Sequence, residues 1–155
     1  IKQPGQYEIR GKITFLEFVS KAGGLTDNAG SQATIKRSGP KGNSDQQIVL
    51  DLDKLIEQGD ASLNIIIQGN DSIYISEAKT YYVSGEVNKP SSYKYKKDLT
   101  VIKAITMAGG FSKIAARNKV QIIRIENGEK VIYQNVKMDM PVLPDDVIVV
   151  PESFF

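Results

Sequence analysis

Two Ala-Gly-Gly triplets, Ala22-Gly23-Gly24 and Ala108-Gly109-Gly110, each follow a short apolar run and are the first candidates for chemistry. A glycine pair can cradle a phosphate when it stands ahead of a helix, where free N–H groups and the positive dipole end face the anion. Asp71, the pair Asp145-Asp146, and Asp51 with Asp53 offer carboxylates for metal ligation or acid–base work. Tyr93-Lys94-Tyr95-Lys96-Lys97 interleaves aromatics with positive charge, a composition suited to a saccharide or nucleic-acid platform. The 155-residue chain has no His and no Cys, so the commonest general base, the commonest metal ligand and any thiol nucleophile are missing.

The elements that position these residues decide between the readings. Thr14, with Glu17 three residues on, forms a capping box, and Ile13 and Phe18 stand at the staple positions around it. Thr100 holds the same cap position with Lys103 in place of the glutamate. Helices therefore start at Thr14 and Thr100 and run into the glycines. Gly23-Gly24 and Gly109-Gly110 lie at the negative dipole end, which repels an anion. Gly23 and Gly109 fit the left-handed C′ position, with Leu25 and Phe111 placed to pack back on the helix. The glycines read as helix stops.

The remaining candidates favour structural roles. In 93–97, alternation puts Tyr on a core face and Lys in water, and Ile9 matches Tyr95 in the earlier stretch. Lys94, Lys96 and Lys97 stay as contacts for an acidic polymer or a neighbouring subunit. Asp71 and Asp145 follow Asn70 and Pro144 ahead of a strand, which is turn chemistry, and no further oxygen ligands stand at calcium-loop spacing. Asp51 and Asp53 read as a strand end and a helix start. No Gly-x-Ser-x-Gly elbow occurs. The sequence points to no catalytic residue, no cofactor and no metal.

The chain is a tandem repeat. "IKQPGQYEIRGKITFLEFVSKAGGLTDNAG" aligns without a gap on "VNKPSSYKYKKDLTVIKAITMAGGFSKIAA" at an offset of 86. Pro4 falls on Pro90, Tyr7 on Tyr93, Thr14 on Thr100, Gly23 on Gly109 and Gly24 on Gly110. "GNDSIYIS" matches "LPDDVIVV" at an offset of 74, setting Asp71 on Asp145. Two small domains follow, 1–78 and 79–155, with extra residues around 38–66 in the first. "TYYVSGE", Thr80 to Glu86, is strand-like; its counterpart is expected upstream of Ile1, leaving the first unit without its opening strand. One unit reads as a strand over 81–87, a turn at Lys89-Pro90-Ser91, a strand "SYKY", a helix, a hairpin around Asn127-Gly128, and a last strand over 147–150. That order implies an α+β fold, a small mixed sheet covered on one face by the helix. "SGPKGNSD", 38–45, reads as a polar loop.

Charge is uneven. Residues 1–78 hold 8 basic and 10 acidic side chains and residues 79–155 hold 12 and 8, for an overall net charge of +2. That balance does not suggest a nucleic-acid partner. No apolar run approaches the roughly 20 residues of a membrane-spanning helix.

The pattern Gly85-x-Val87-x-x-Pro90, the run Thr100-Val101-x-x-Ala104-Ile105-x-x-Ala108-Gly109-Gly110 and the ending Asp145-x-Val147-x-Val149 resemble an SLBB domain, the soluble-ligand-binding β-grasp module. In tandem they resemble the bacterial outer-membrane polysaccharide export proteins of the Wza type. Ser91 departs from the glycine usual there, and Lys103 from the usual acidic residue. The resemblance implies two tandem β-grasp domains in the periplasmic part of a capsule or exopolysaccharide export channel. It implies a homo-oligomeric ring contacting polysaccharide and an inner-membrane co-polymerase, at the periplasmic face of the outer membrane. It also implies a lipid-bearing cysteine and an export domain outside these residues, and no enzymatic activity. The alternative is a soluble saccharide- or small-ligand-binding β-grasp module outside any channel.

Overall fold

Threonine starts both helices. Thr14, extended at φ −83° and ψ 165°, accepts the Glu17 N–H on its hydroxyl at 3.3 Å, and α1 follows over Phe15–Lys21. Thr100 takes the same extended conformation ahead of α2, Val101–Met107, but its hydroxyl caps nothing. Apolar residues at helical spacing, Phe15 and Val19 in α1 and Val101, Ala104 and Ile105 in α2, turn inward.

In a computed structural model, residues 1–40 and 44–154 are described, and the chain divides into two units, Ile1–Ala78 and Lys79–Phe155. The loop over 38–45 contains residues 41–43, which lie outside the described residues. The fold is α+β. In the first unit β1, Ile13–Thr14, pairs with β4, Ile66–Ile67. β2, Ala29–Arg37, lies between β3, Gln46–Asp51, and β5, Ser72–Glu77, in an antiparallel sheet of order β3-β2-β5. Short helical turns at Asp53–Glu57 and Ala61–Leu63 join β3 to β4. Residues 1–12 form no strand.

The second unit holds β6, Thr80–Gly85, β7, Ser91–Lys94, β8, Gln121–Glu126, β9, Glu129–Tyr133, and β10, Val147–Val150. Its sheet order is β7-β6-β10-β8-β9, and the central β6–β10 pair is parallel while its neighbours are antiparallel. The hairpin turn has positive φ at Asn127 and Gly128, the geometry that Asn-Gly favours. The opening strand, expected over 81–87, stops at Gly85, where φ is +88° and an added Cβ would lie 2.1 Å from the Val150 carbonyl oxygen. Val87 keeps only an isolated bridge to Phe111.

Each unit has its own core. Val101, Ala104, Ile105 and Ala108 of the helix side meet Tyr81, Val83, Ile122, Ile148 and Val150 of the sheet, with Tyr93, Tyr95 and Phe111 packed against them. Phe15 and Val19 meet Ala33, Ile35 and Leu50, with Leu25 and Phe18 alongside.

The structure shifts one sequence match. Arg37 pairs with Asp71, whose carboxylate also accepts the Gln68 N–H, and donates to the Ile66 carbonyl. Arg124 pairs with Asp146, whose carboxylate accepts the Leu143 N–H, and donates to the Pro141 carbonyl. Asp71 thus corresponds to Asp146, 75 residues on, and not to Asp145. Asp145, at φ 68°, is the counterpart of Asn70 at φ 66°. The sequence match at 74 went astray because two aspartates are adjacent and only the fold shows which one turns inward.

Candidate functional site

The glycine pairs hydrogen-bond to their own chain. Gly23 and Gly109 have φ of +86° and +82°. Gly24 N–H reaches the Val19 carbonyl at 2.9 Å and Gly23 N–H the Ser20 carbonyl at 3.1 Å; Gly110 and Gly109 do the same to Ile105 and Thr106. This is a Schellman stop in both units. The outward carbonyls are then used by the segment carrying Pro4 or Pro90. Gln3 and Lys2 donate to Ala22 and Gly24, while Lys89 and Asn88 donate to Ala108 and Gly110. Tyr7 and Tyr93 each return a hydroxyl bond to the carbonyl four residues back, on Gln3 and Lys89. A Cβ on Gly109 would lie 3.1 Å from Asn88 Cβ, and one on Gly23 3.2 Å from Lys2 Cβ. The motif locks a turn against a helix end.

The carboxylates are also committed. Asp71 and Asp146 have fully buried side chains and make two-pronged pairs with Arg37, at 3.0 and 3.1 Å, and Arg124, at 2.7 and 2.9 Å. The hydrogen bonds that the guanidiniums donate to these carboxylates outweigh desolvation and hold both arginine pKa values above the ordinary range. Arg124 also lies over the Tyr133 ring, 5.2 Å from its centroid, and the Tyr133 hydroxyl bonds Glu126. Asp51 ends β3 and accepts the Lys54 N–H at 3.1 Å. Asp53 opens the helical turn that follows. Among the described residues no three acidic side chains gather as metal ligands.

The lysines do come together. Lys94, at the end of β7, and Lys96 and Lys97, in the loop after it, line one groove of about 720 Å³ in the second unit. Lys103, from α2, lines it too, so four exposed ammonium groups surround the groove beside a single acid, Asp98. Its apolar lining comes from Tyr81, Tyr93, Leu99, Ile102 and Met107. Tyr81 and Tyr93 stack at 5.8 Å between centroids. Ile102 is 43% exposed and Met107 63%, so the helix presents apolar surface to this groove instead of burying it. Burial raises the Tyr81 hydroxyl pKa, helped by neighbouring Tyr93. The arrangement sets positive charge beside an apolar surface.

Alternation in the strand predicted lysines in water and tyrosines packed, and that is how 93–97 lies. Sequence reading did not place Lys103, Ile102 and Met107 in the groove. The available signal was a break in pattern, with Lys103 at a position held by Glu17 in the first unit. The structural-motif residues Pro4, Thr14, Asp71, Pro90, Thr100, Gly24 and Gly110 lie at the turns, caps and clamps described above.

A second cleft, of about 750 Å³, lies in the first unit between residues 1–9 and 67–73. Tyr7, Phe18 and Ile73 line it. In the second unit the matching space, between β7 and β10, is filled by β6.

Two family models described as the SLBB domain match the chain, one over residues 1–75 and the other over residues 80–135. No curated protein matches it.

Proposed function

This chain belongs to the SLBB-domain family, and on that premise we propose that it is a periplasmic, non-enzymatic module of a capsule or exopolysaccharide export channel. In this reading the tandem units build a homo-oligomeric ring and touch the passing polymer and an inner-membrane co-polymerase. The full protein sits at the periplasmic face of the bacterial outer membrane. The observation that carries the reading is the tandem SLBB match over both units. The lysine groove supports it, because it offers positive charge and apolar surface to a polymer. No helix among the described residues is long and apolar enough to cross a membrane. The test is deletion of the whole gene in its host. Loss of surface polysaccharide, with material held back inside the cell, is expected; normal surface polysaccharide overturns the reading.

The groove also favours a second reading, a saccharide-binding module outside any channel. In-cell cross-linking of the full-length protein separates the two. A ladder of self-adducts supports the channel, and a monomer with intact saccharide binding supports the free module.

A further inference from the structure

The repeat supplies an internal control for the groove. At the 86-residue offset, Lys94, Lys96, Lys97, Asp98 and Lys103 correspond to Glu8, Arg10, Gly11, Lys12 and Glu17. The first set carries a charge of +3 and the second is neutral. Around these positions the Tyr hydroxyl bond, the threonine at the helix start and the Schellman stop recur in both units, although residues 1–12 form no strand where β7 stands in the second. The features that recur therefore stand with either charge set. Two of the four lysines are charge reversals relative to the sister unit. The helix also exposes Ile102 and Met107 into the same groove, where the sister unit has Leu16 and Lys21.

We propose that this groove is a binding site for a carboxylate-bearing saccharide chain, with Lys94, Lys96, Lys97 and Lys103 meeting the acid groups and Tyr93, Ile102 and Met107 facing the apolar sides of the sugar rings. The charge selects an acidic ligand. The apolar lining distinguishes a sugar chain, whose C–H faces lie flat on such surface, from a fully solvated polyanion. This rests on the export reading for the polymer's being a saccharide, and it narrows that reading to acidic polymers. Exposed lysines act through a screened field, so binding weakens as salt rises.

The test uses the 155-residue chain and three probes in calorimetric titration: oligogalacturonate, neutral dextran oligosaccharide and poly-glutamate of equal charge. Saturable binding of oligogalacturonate, weakened by salt and stronger than that of either control, is expected. The double variant Lys94→Glu/Lys103→Glu carries the residues the sister unit holds at these positions. It should keep the wild-type melting temperature and weaken oligogalacturonate binding about tenfold or more. Met107→Ser should weaken oligogalacturonate and leave poly-glutamate unchanged. Absence of oligogalacturonate binding, equal binding of poly-glutamate, or full binding by the double variant overturns the proposal. Each of these results is independent of the gene-deletion phenotype, so the site can fail while the export role stands.

Discussion

The two units agree in some places and differ in others, and the pattern separates what the fold requires from what it leaves free. Both keep the buried Arg–Asp clamp, the tyrosine bond to the turn and the glycine stop. They part on the surface. Across the second sheet one row reads Tyr82, Val147, Ile123 and Ile132. The matching row of the first sheet reads Ser72, Lys36 and Gln47. The groove rim changes from neutral to +3 in the same way. Features that satisfy buried polar groups or close a turn recur because removing them costs stability; a surface row or rim is free to take up a partner.

The largest expected effect tests the shared clamp. Arg37→Met and Arg124→Met each leave a buried carboxylate unpaired and should cost about 3–5 kcal/mol in their own unit. Calorimetry with hydrogen exchange can follow the units separately, and a large loss in only one of them would break the equivalence. Next comes the edge of β5 that is unpaired among the described residues. Ile1 stands where Val87 stands, so fusing the Thr80–Glu86 sequence ahead of Ile1 should add a strand beside β5. Burial of its apolar side chains less the cost of ordering it gives a net gain of about 1–3 kcal/mol. Slowed exchange of β5 amides and a higher Tm are the readouts; unchanged exchange would separate the two units' architectures.

Gly23→Ala and Gly109→Ala force a Cβ into a left-handed conformation and should each cost about 1–2 kcal/mol in urea melts. The threonine caps should respond unequally. Thr14→Val removes a cap and should cost about 1 kcal/mol. Thr100 Oγ1 is buried without a partner, so Thr100→Val should be neutral or stabilising. Equal losses would show that both hydroxyls cap alike. The smallest effect is in pH. Tyr81 is buried and its pKa raised, so the folded state holds that proton more tightly than the unfolded one. Its contribution is fully present below the ordinary tyrosine value near 10 and declines above it. Thermal melts between pH 8 and 11 should show the second unit losing stability at the alkaline end, and Tyr81→Phe should reduce that loss.

Much of the fold was legible because its signals are local. The Thr14 cap, the glycine stops and the Asn127-Gly128 hairpin depend on residues a few positions apart, and the repeat shows the glycine stop twice. The strand after Pro90 was legible by alternation. Gly85 as the end of β6 was not, because its reason is the Val150 carbonyl, 65 residues away in the chain. The site was legible only in part. Lys94, Lys96 and Lys97 stand together in the sequence, whereas Lys103, Ile102 and Met107 join them through the packing of α2 beside β7.

By itself the sequence determined that this is a duplicated α+β unit, with helices started by threonine and stopped by glycine and no His or Cys chemistry. Those properties follow from composition and from short-range backbone preferences, which need no partner distant in the chain. Tertiary structure alone decided that Asp146, and not Asp145, answers to Asp71. It also decided that the lysines share one groove. Each of these depends on which side chain or strand edge is brought against a distant segment, and burial sets that only once the sheet and helix have packed.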